Sequence, residues 1–259
     1  GRWAGRLIQP QNLTRGELGL SEEELLEAIY SGDPEWVALA YGDPAQVVAD
    51  ALRAMIVAPT GFEIIRGDFK AIEARIVLAL AEQWDKVQLL KDNHDVYSDM
   101  ATDIFGYEVN GDDHPKERQV GKNAVLGLGF QCGGPTFQEK FCKDRDLDFC
   151  DQVVQTYRKS WAPRVPDLWA GFENAAVRAC HYGEKVSHAG IDFEMEREWL
   201  TARLPSGRKL YWHGAFTELR PMPWDEDDKR LQVSYFAYKY GQWRQVDSYG
   251  GHFTENIVQ

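Results

Sequence analysis

The sequence has no run of about 18 apolar residues, the length that a membrane-spanning helix needs. It is also poor in the residues of fibrous and disordered chains. Its 23 glycines and 11 prolines are too few for a fibre, and 44% hydrophobic residues are too many for a disordered chain. These shortages leave a globular protein whose 259 residues can bury at least one full core.

Cysteine is scarce as well. The sequence contains Cys132, Cys142, Cys150 and Cys180, with no C-x-x-C pair and no histidine at the spacing of a zinc ligand. Free thiols in a reducing compartment are therefore favoured over disulfides or a zinc site. No charged-then-apolar leader is visible either, so the expected location is cytoplasmic.

Basic residues are outnumbered: 29 Lys and Arg stand against 41 Asp and Glu, a formal net charge of −12. Such an excess argues at first sight against nucleic acid as a partner. Residues 17–60, however, hold nine acids and one base, a net of −8, and are predicted to form an acidic helical insert. Residues 1–16 hold three arginines and no acid. The net charge therefore does not exclude a DNA-binding cleft elsewhere in the chain.

Local patterns predict a mostly helical chain. Ser21 is the expected N-cap of a helix whose first turn is acidic. A second helix is predicted from Pro44 to Met55, with Val47, Val48, Leu52 and Met55 on its buried side. The later predicted elements are a strand over Phe62–Asp68, helices over Ile72–Leu80, Asp95–Phe105, Lys116–Gly127, Thr136–Cys142, Cys150–Ser160 and Asp167–His181, and a strand–turn–strand over Thr201–Trp212. Residues 84 to 200 are thus predicted to be almost entirely helical.

Asp68 ends the predicted strand and is followed at once by a helix. A carboxylate in that place suits a divalent cation such as Mg²⁺, which prefers oxygen ligands. The spacing alone favours a plainer role, in which Asp68 caps the helix and Glu73 is a charge on the helix surface. Both interpretations stay open from the residues themselves.

A second candidate is a row of side chains spaced four residues apart, Arg118, Lys122, Leu126 and Phe130. Steps of four keep side chains on one face of a helix. The cationic end of this face suits a triphosphate and its apolar end suits a sugar and base. The alternative is an amphipathic helix whose cations face water. Gly127 and Gly129 argue against that alternative, because glycine inside a helix costs about 1 kcal/mol relative to alanine; they indicate a close approach or the end of the helix.

Four stretches, taken in order, resemble the polymerase region of family A DNA polymerases, the bacterial DNA polymerase I class, and especially its phage branch. They are residues 1–15 (G-R-W-A-G-R, then Q-N-L-x-R), residues 67–75 (motif A, G-D-F-x-x-I-E-x-R), residues 118–133 (motif B, R-x-x-x-K), and residues 204–208 with 249–259 (L-P-S-G-R, then Y-G-G-H-x-T-E-N-x-x-Q). The match spans essentially the whole chain.

The resemblance implies an α/β fold, mostly helical, in which a partial palm with antiparallel strands carries a helical fingers subdomain. It divides the chain into a palm entry segment (1–16), the acidic insert (17–60), palm with motif A (61–83), fingers with motif B (84–200) and a return to the palm (201–259). The implied activity is nucleotidyl transfer from a dNTP to a primer 3′ end, catalysed by two Mg²⁺ ions.

The implied site begins with motif A. By resemblance, Asp68 is a catalytic residue and metal ligand, and the Phe69 carbonyl assists it. Glu73 is implied to be a steric gate, which crowds the 2′ position of the sugar and so rejects ribonucleotides.

Motif B supplies the other implied contacts. Arg118 and Lys122 are expected to hold the triphosphate and to neutralise charge as the α-phosphate is attacked, with Tyr97 near the phosphates. The resemblance assigns further nucleotide contacts to Leu126 and Phe130, and primer–template contacts to Arg2, Arg15 and Gln259.

The departures from the family pattern also predict properties. Leu126 stands where the family has Phe or Tyr, so we expect discrimination against dideoxynucleotides. Two-metal catalysis needs a second carboxylate, and the family's His-Asp-Glu segment that supplies it does not occur in these 259 residues. The chain ends at Gln259 inside a predicted helix, and we interpret both ends as cuts through a larger protein. The fragment is therefore expected to be inactive without the later palm segment.

Two other functions remain open from the sequence. Single-subunit RNA polymerases share a related plan, so ribonucleotide transfer is an alternative, although Glu73 and the Gln11-Asn12 segment favour deoxynucleotides. The second alternative is that the chain is one half of a split polymerase and binds nucleic acid without catalysing a reaction.

Overall fold

Two separate hydrophobic cores divide the chain. In this computed structural model, which describes residues 9–14, 16–65, 67–222 and 225–259, one compact unit ends at Phe69 and the other begins at Lys70.

The N-terminal unit contains a 3₁₀ turn (Pro10–Asn12) and three short helices, α1 (Glu22–Ser31), α2 (Pro34–Tyr41) and α3 (Pro44–Ala51). Ser21 is the N-cap of α1 as predicted, and it forms a reciprocal capping box with Glu24. Asp33 and Asp43 cap α2 and α3, each ahead of a proline at the first helical position. The small core comprises Leu25, Ala28, Val37, Val47 and Ala51.

Two predictions for this unit are wrong. The helix predicted from Pro44 to Met55 ends at Ala51, and Val47 is buried, whereas Val48, Leu52 and Met55 are 47%, 38% and 56% exposed. The strand predicted over residues 62–68 is absent: residues 62–65 and 67–69 are exposed and form neither helix nor strand. A strand is stable only when a neighbour satisfies its backbone groups, and no strand in the described part of the chain pairs with this segment.

The C-terminal unit is built mainly from helices. They are α4 (Ile72–Leu80), α5 (Trp84–Lys91), α6 (Val96–Phe105), α7 (Pro115–Leu128), α8 (Gly134–Phe141), α9 (Leu147–Thr156), α10 (Val165–Tyr182) and, after the sheet, α11 (Gly250–Val258). A π-helical turn, Tyr157–Trp161, extends α9. The helices predicted from hydrophobic period are confirmed, with ends that differ by up to four residues.

One six-stranded antiparallel sheet completes this unit, and each strand pairs with the next along the chain. The strands are β1 (Val186–His188), β2 (Ile191–Glu196), β3 (Trp199–Arg203), β4 (Lys209–Met222), β5 (Asp225–Lys239) and β6 (Gln242–Ser248). The predicted strand–turn–strand is confirmed as β3 and β4. The prediction of helix up to residue 200 is wrong for β1, β2 and the start of β3. Residues 191–196, I-D-F-E-M-E, alternate with the period of two that a strand requires.

The inner face of the sheet packs on α10 and α11. Leu200, Ala202, Leu210 and Trp212 point to this face and are at most 4% exposed. Phe193 lies between Phe172 of α10 and Phe253 of α11 in this core. The fold class is therefore α/β and mostly helical, as predicted. Among the described helices, none combines the length and apolar character needed to cross a membrane.

Candidate functional site

Helix α7 carries the predicted row of side chains. Pro115 starts the helix, where its fixed φ is favourable. Arg118, Lys122 and Leu126 lie on successive turns, so their common face is confirmed, whereas Phe130 lies two residues beyond the last helical residue. The row is thus formed by a helix with an irregular end.

The cationic end of this row meets α6. Arg118 donates from Nε to Asp95 Oδ2 at 2.5 Å and from Nη2 to Asp95 Oδ1 at 3.3 Å. Its guanidinium also lies 5.4 Å from the ring centre of Tyr97. Burial alone raises the pKa of Asp95, but the hydrogen bonds from Arg118 and Ser98 outweigh it, and the net pKa lies below its ordinary value of 3.8. Arg118 is therefore held in place, and its charge is balanced, by Asp95.

Lys122 differs from Arg118 in having no partner among the residues that the structure describes. It is half-buried, and within the described ranges no hydrogen bond or ion pair engages its ammonium group. An uncompensated cation one turn from Arg118 makes this part of α7 attractive to an anion.

The apolar end of the row lines a pocket. Its lining includes Glu73 of α4, Leu126 and Phe130, together with Tyr157 and Trp161 from the π-helical turn. The pocket encloses about 10 Å³, close to what one water molecule requires. A sugar or base would therefore rest at the mouth of the pocket, unless these side chains move apart.

Gln259 is joined to this pocket through Glu73. Its Nε2 donates to Glu73 Oε1 at 3.0 Å, across 186 residues of sequence. The Oε1 atom of Gln259 is buried and has no partner in the described part of the chain. The resemblance assigned both residues to the site, but it gave no indication that they touch.

Three contacts fix the segment that follows α7. Trp169 donates from Nε1 to the Gly129 carbonyl at 2.8 Å, in a buried position. Arg158 donates to the carbonyls of Gln131 and Cys132 at 3.3 and 3.0 Å. These donors satisfy backbone acceptors at and beyond the C-cap of α7, so the pocket wall near Phe130 has a defined position. Neither Trp169 nor Arg158 was identified from the sequence. For the pocket itself, the four-residue spacing of Tyr157 and Trp161 in a helical stretch was a signal that these two rings share a face.

The glycines of α7 have the close approaches that their residue type indicated. Gly127 lies against the Phe141 ring, which a Cβ would approach to 2.8 Å, and Gly129 caps the helix end. The closest approach was missed: a Cβ on Gly121 would lie 2.1 Å from the Tyr97 carbonyl oxygen. Gly121 therefore sets how closely α6 and α7 pack, and with it the distance between Tyr97 and Arg118.

Asp68 and Phe69 belong to the N-terminal unit and are exposed. Asp68 is not the cap of α4, because that helix starts after Ala71 with no side-chain cap. Within the described residues, no group of three or more His, Cys, Asp or Glu side chains is placed to hold a metal ion. Asp68 offers one carboxylate, so the described residues do not by themselves complete a metal site.

The three predicted DNA contacts have different outcomes. Arg2 and Arg15 lie outside the described residues. Gln259 is half-buried and bonded to Glu73. Its contact with DNA remains a prediction.

Comparison with known proteins gives a similarity to a phage protein. The chain is 30% identical over 273 aligned residues to a protein named DNA polymerase from Bacillus phage SP02. The alignment covers all of this chain but 40% of the phage protein, so the chain spans well under half the length of that relative. No family model and no solved structure matches the chain. The similarity to a phage DNA polymerase agrees with the resemblance seen in the motifs.

Proposed function

We propose that this chain is the nucleotide-binding palm and fingers part of a family A DNA-directed DNA polymerase, which transfers a nucleotide from a dNTP to the 3′ end of a primer. One observation carries the proposal: α7 presents Arg118, Lys122 and Leu126 on one face, and that face continues into a pocket with Glu73. The similarity to a phage DNA polymerase over the whole chain supports it.

In this proposal, the triphosphate lies at the N-terminal half of α7. Lys122 is the cation that is open to it, because Asp95 already balances Arg118. A triphosphate competes with Asp95 for the guanidinium, whose fork suits phosphate oxygens. The Tyr97 ring makes a cation–π contact with the guanidinium and helps to orient it. The two cations then neutralise charge that develops during phosphoryl transfer.

The sugar lies at the mouth of the pocket. Glu73 is the proposed gate against a 2′-hydroxyl, and Gln259 holds it by the bond to Oε1. Leu126 supplies an apolar surface without a ring or hydroxyl, on which the predicted discrimination against dideoxynucleotides rests. Because Gln259 restrains the Glu73 carboxylate, that carboxylate cannot rotate away from a 2′-hydroxyl, and the two groups would clash.

Mg²⁺ is part of the proposal on the strength of the resemblance. The Asp68 carboxylate and the Phe69 carbonyl are oxygens of the kind that Mg²⁺ prefers, and Mg²⁺ commonly takes its other ligands from phosphates and water. The described residues do not complete such a site, and the sequence contains no His-Asp-Glu segment. We therefore propose that primer–template DNA and the later palm segment are required partners for catalysis.

The test is dATP binding, measured by calorimetric titration of the 259-residue chain. Lys122→Ala is expected to weaken binding roughly 10- to 150-fold, the range for a lost hydrogen bond to a charged group. Lys116→Ala is the matched control, because Lys116 is an exposed lysine of the same helix that lies off the row. Equal effects of the two substitutions, or none, would contradict the proposed triphosphate position.

A second titration separates deoxynucleotides from ribonucleotides. The chain is expected to bind dATP more tightly than ATP, and Glu73→Ala is expected to reduce that preference by admitting the 2′-hydroxyl. Preferential binding of ATP would instead favour the ribonucleotide-transferring alternative.

A further inference from the structure

The outer face of the sheet carries a cluster of rings that the nucleotide site does not use. Trp199 lies opposite His213, His213 lies opposite Phe236, and Tyr238 lies opposite Trp243 in the antiparallel register. Residues that lie opposite each other share a face. Tyr211 joins them by the alternation of β4, whose Leu210 and Trp212 point into the core. We call these six residues the aromatic face: Trp199, Tyr211, His213, Phe236, Tyr238 and Trp243.

Five of the six rings of the aromatic face contact one another, and the ring of Phe236 contacts Phe216 of β4. Ring centres are 4.5 Å apart for Trp199 and His213, 5.1 Å for His213 and Trp243, and 5.7 Å for Tyr238 and Trp243. These contacts limit the motion of the rings, yet Tyr211, Tyr238 and Trp243 remain 54%, 64% and 57% exposed. Single exposed aromatic residues are ordinary, but a contiguous exposed cluster marks a binding surface.

Charge distinguishes the two ends of the β4–β5 hairpin. Residues 197–213, which include Trp199, Tyr211 and His213, hold four Lys and Arg and one acid, whereas residues 214–235 hold five acids and three bases. The neighbouring strand β2 places Asp192, Glu194 and Glu196 on the same face, opposite Arg203, Thr201 and Trp199. Lys209 is paired with Glu194 and Glu196. Lys185 is paired with Asp192 and Glu194. Within the described ranges, Arg197, Arg203 and Arg208 form no ion pair. Lys239 and Arg244 form none either, but by the alternation of β5 and β6 they lie on the face opposite to Tyr238 and Trp243. Lysines thus balance the β2 carboxylates, and three arginines beside the rings lack an acidic partner among the described residues, in a chain of net charge −12.

A bulge also shapes this surface. The register of β4 and β5 shifts between His213 and Phe216, and Gly214 within the shift has a positive φ of 56°. Such bulges bend and twist a strand and re-aim its side chains. A Cβ on Gly214 would lie 3.0 Å from the Phe236 ring, so glycine allows that ring to keep its place in the cluster.

We propose that the aromatic face binds single-stranded DNA, with bases stacked on Tyr238, Trp243 and Tyr211 and phosphates near the three arginines beside the rings. Exposed rings with adjacent cations are how proteins hold unpaired strands without reading sequence. A protein partner would also use aromatic residues, but the three arginines that lack acidic partners in the described part of the chain favour a polyanion. The surface is separate from the dNTP site, so the proposal goes beyond the proposed polymerase activity and does not require nucleotidyl transfer.

The test is fluorescence anisotropy of labelled oligo-dT of about 16 nucleotides, the upper end of such binding sites, with the 259-residue chain. Each of Tyr238→Ala and Trp243→Ala is expected to weaken binding roughly 5- to 150-fold, the range measured for loss of one base–ring stack. Tyr238→Phe and Trp243→Phe are expected to keep most of the affinity, because they retain a ring. Tyr182→Ala is the matched control, since Tyr182 is 63% exposed at the end of α10.

The role of the arginines is tested by the salt dependence of oligo-dT binding. Arg203→Ala and Arg208→Ala are each expected to lower the slope of log affinity against log salt by about 0.7, the value for one phosphate contact on a single strand. Lys229→Ala, at the acidic end of the hairpin, is expected to leave that slope unchanged.

Several results would overturn the proposal. They are unchanged oligo-dT affinity after removal of both Tyr238 and Trp243 rings, an equal loss in Tyr182→Ala, or an equal loss in the Phe and Ala variants. Tighter binding of oligo-rU than of oligo-dT by tenfold or more would overturn the choice of DNA. A concentration-dependent self-association that the Ala variants abolish, with oligo-dT affinity intact, would assign the surface to a protein contact instead.

Discussion

Helix α7 carries most of motif B and residues 62–69 lead into motif A, yet the two segments are held very differently. Side chains and backbone from α6, α8 and α10 contact α7 at Gly121, Gly127 and Gly129. Residues 62–65 and 67–69 are exposed and without regular structure. A helix satisfies its own backbone hydrogen bonds, whereas a strand depends on a neighbour. Similar sequence motifs therefore do not guarantee equal order, and the difference can be measured as free energy of unfolding.

The largest expected effect is at Gly121. Gly121→Val places a side chain against the Tyr97 carbonyl, which a Cβ would approach to 2.1 Å. Backbone cannot yield as a flexible side chain does, so we expect a loss of at least about 3 kcal/mol in the free energy of unfolding, at or above the usual cost of overpacking. Urea unfolding followed by circular dichroism measures it.

Gly67→Val is the matched control in motif A. A Cβ on Gly67 meets nothing within 4 Å and its φ is not positive, so the expected change is within about 0.5 kcal/mol. Comparable losses from the two substitutions would remove the contrast between the regions.

A smaller effect is expected where α10 supports the end of α7. Trp169→Phe keeps most of the buried ring but removes the donor to the Gly129 carbonyl. An unsatisfied buried acceptor costs about 1–3 kcal/mol, and we expect a loss of about 2 kcal/mol by urea unfolding. The same variant is expected to bind dATP more weakly, since Phe130 follows Gly129 directly. Full stability with Phe would show that the end of α7 does not depend on this bond.

The third effect tests the other end of α7 and depends on pH. Asp95 has a lowered pKa, so its charged form stabilises the fold at pH values above its ordinary value of 3.8. That contribution is lost as the pH falls through the still lower pKa of the folded state. Asp95→Asn is therefore expected to reduce stability by about 1 kcal/mol or less at pH 7 and pH 5, because the pair is partly exposed.

The expected difference between wild type and Asp95→Asn then shrinks below about pH 4. Urea unfolding at pH 7, 5 and 3.5 provides the comparison, and asparagine can still cap α6. A difference that stays constant down to pH 3.5 would show that the charge of Asp95 is not what holds Arg118.

The same contrast explains which features the sequence could predict. The four-residue spacing along α7 and the N-cap at Ser21 are local features, and both predictions are confirmed by the structure. The bond between Glu73 and Gln259 joins residues 186 positions apart, and local spacing contains no information about such a pair.

The errors have the same origin. The prediction of a strand over residues 62–68 used a local apolar pattern, but a strand also needs a partner that no local pattern supplies. The aromatic face was missed because its six rings come from four strands, and only the register brings them together.

The smallest expected effect is at the exposed apolar side chains of residues 62–65. Ile64 and Ile65 are 58% and 93% exposed, so Ile64→Ser with Ile65→Ser is expected to change the free energy of unfolding by no more than about 0.5 kcal/mol. Val47→Ser is the matched control in the same unit, because Val47 is 1% exposed and burying a hydroxyl there costs about 1–3 kcal/mol in addition to the lost packing. The double substitution is also expected to reduce the binding of a hydrophobic dye, since it removes exposed apolar area. A loss of stability as large as that of Val47→Ser would show that this segment packs as firmly as the core, and the contrast with α7 would fail.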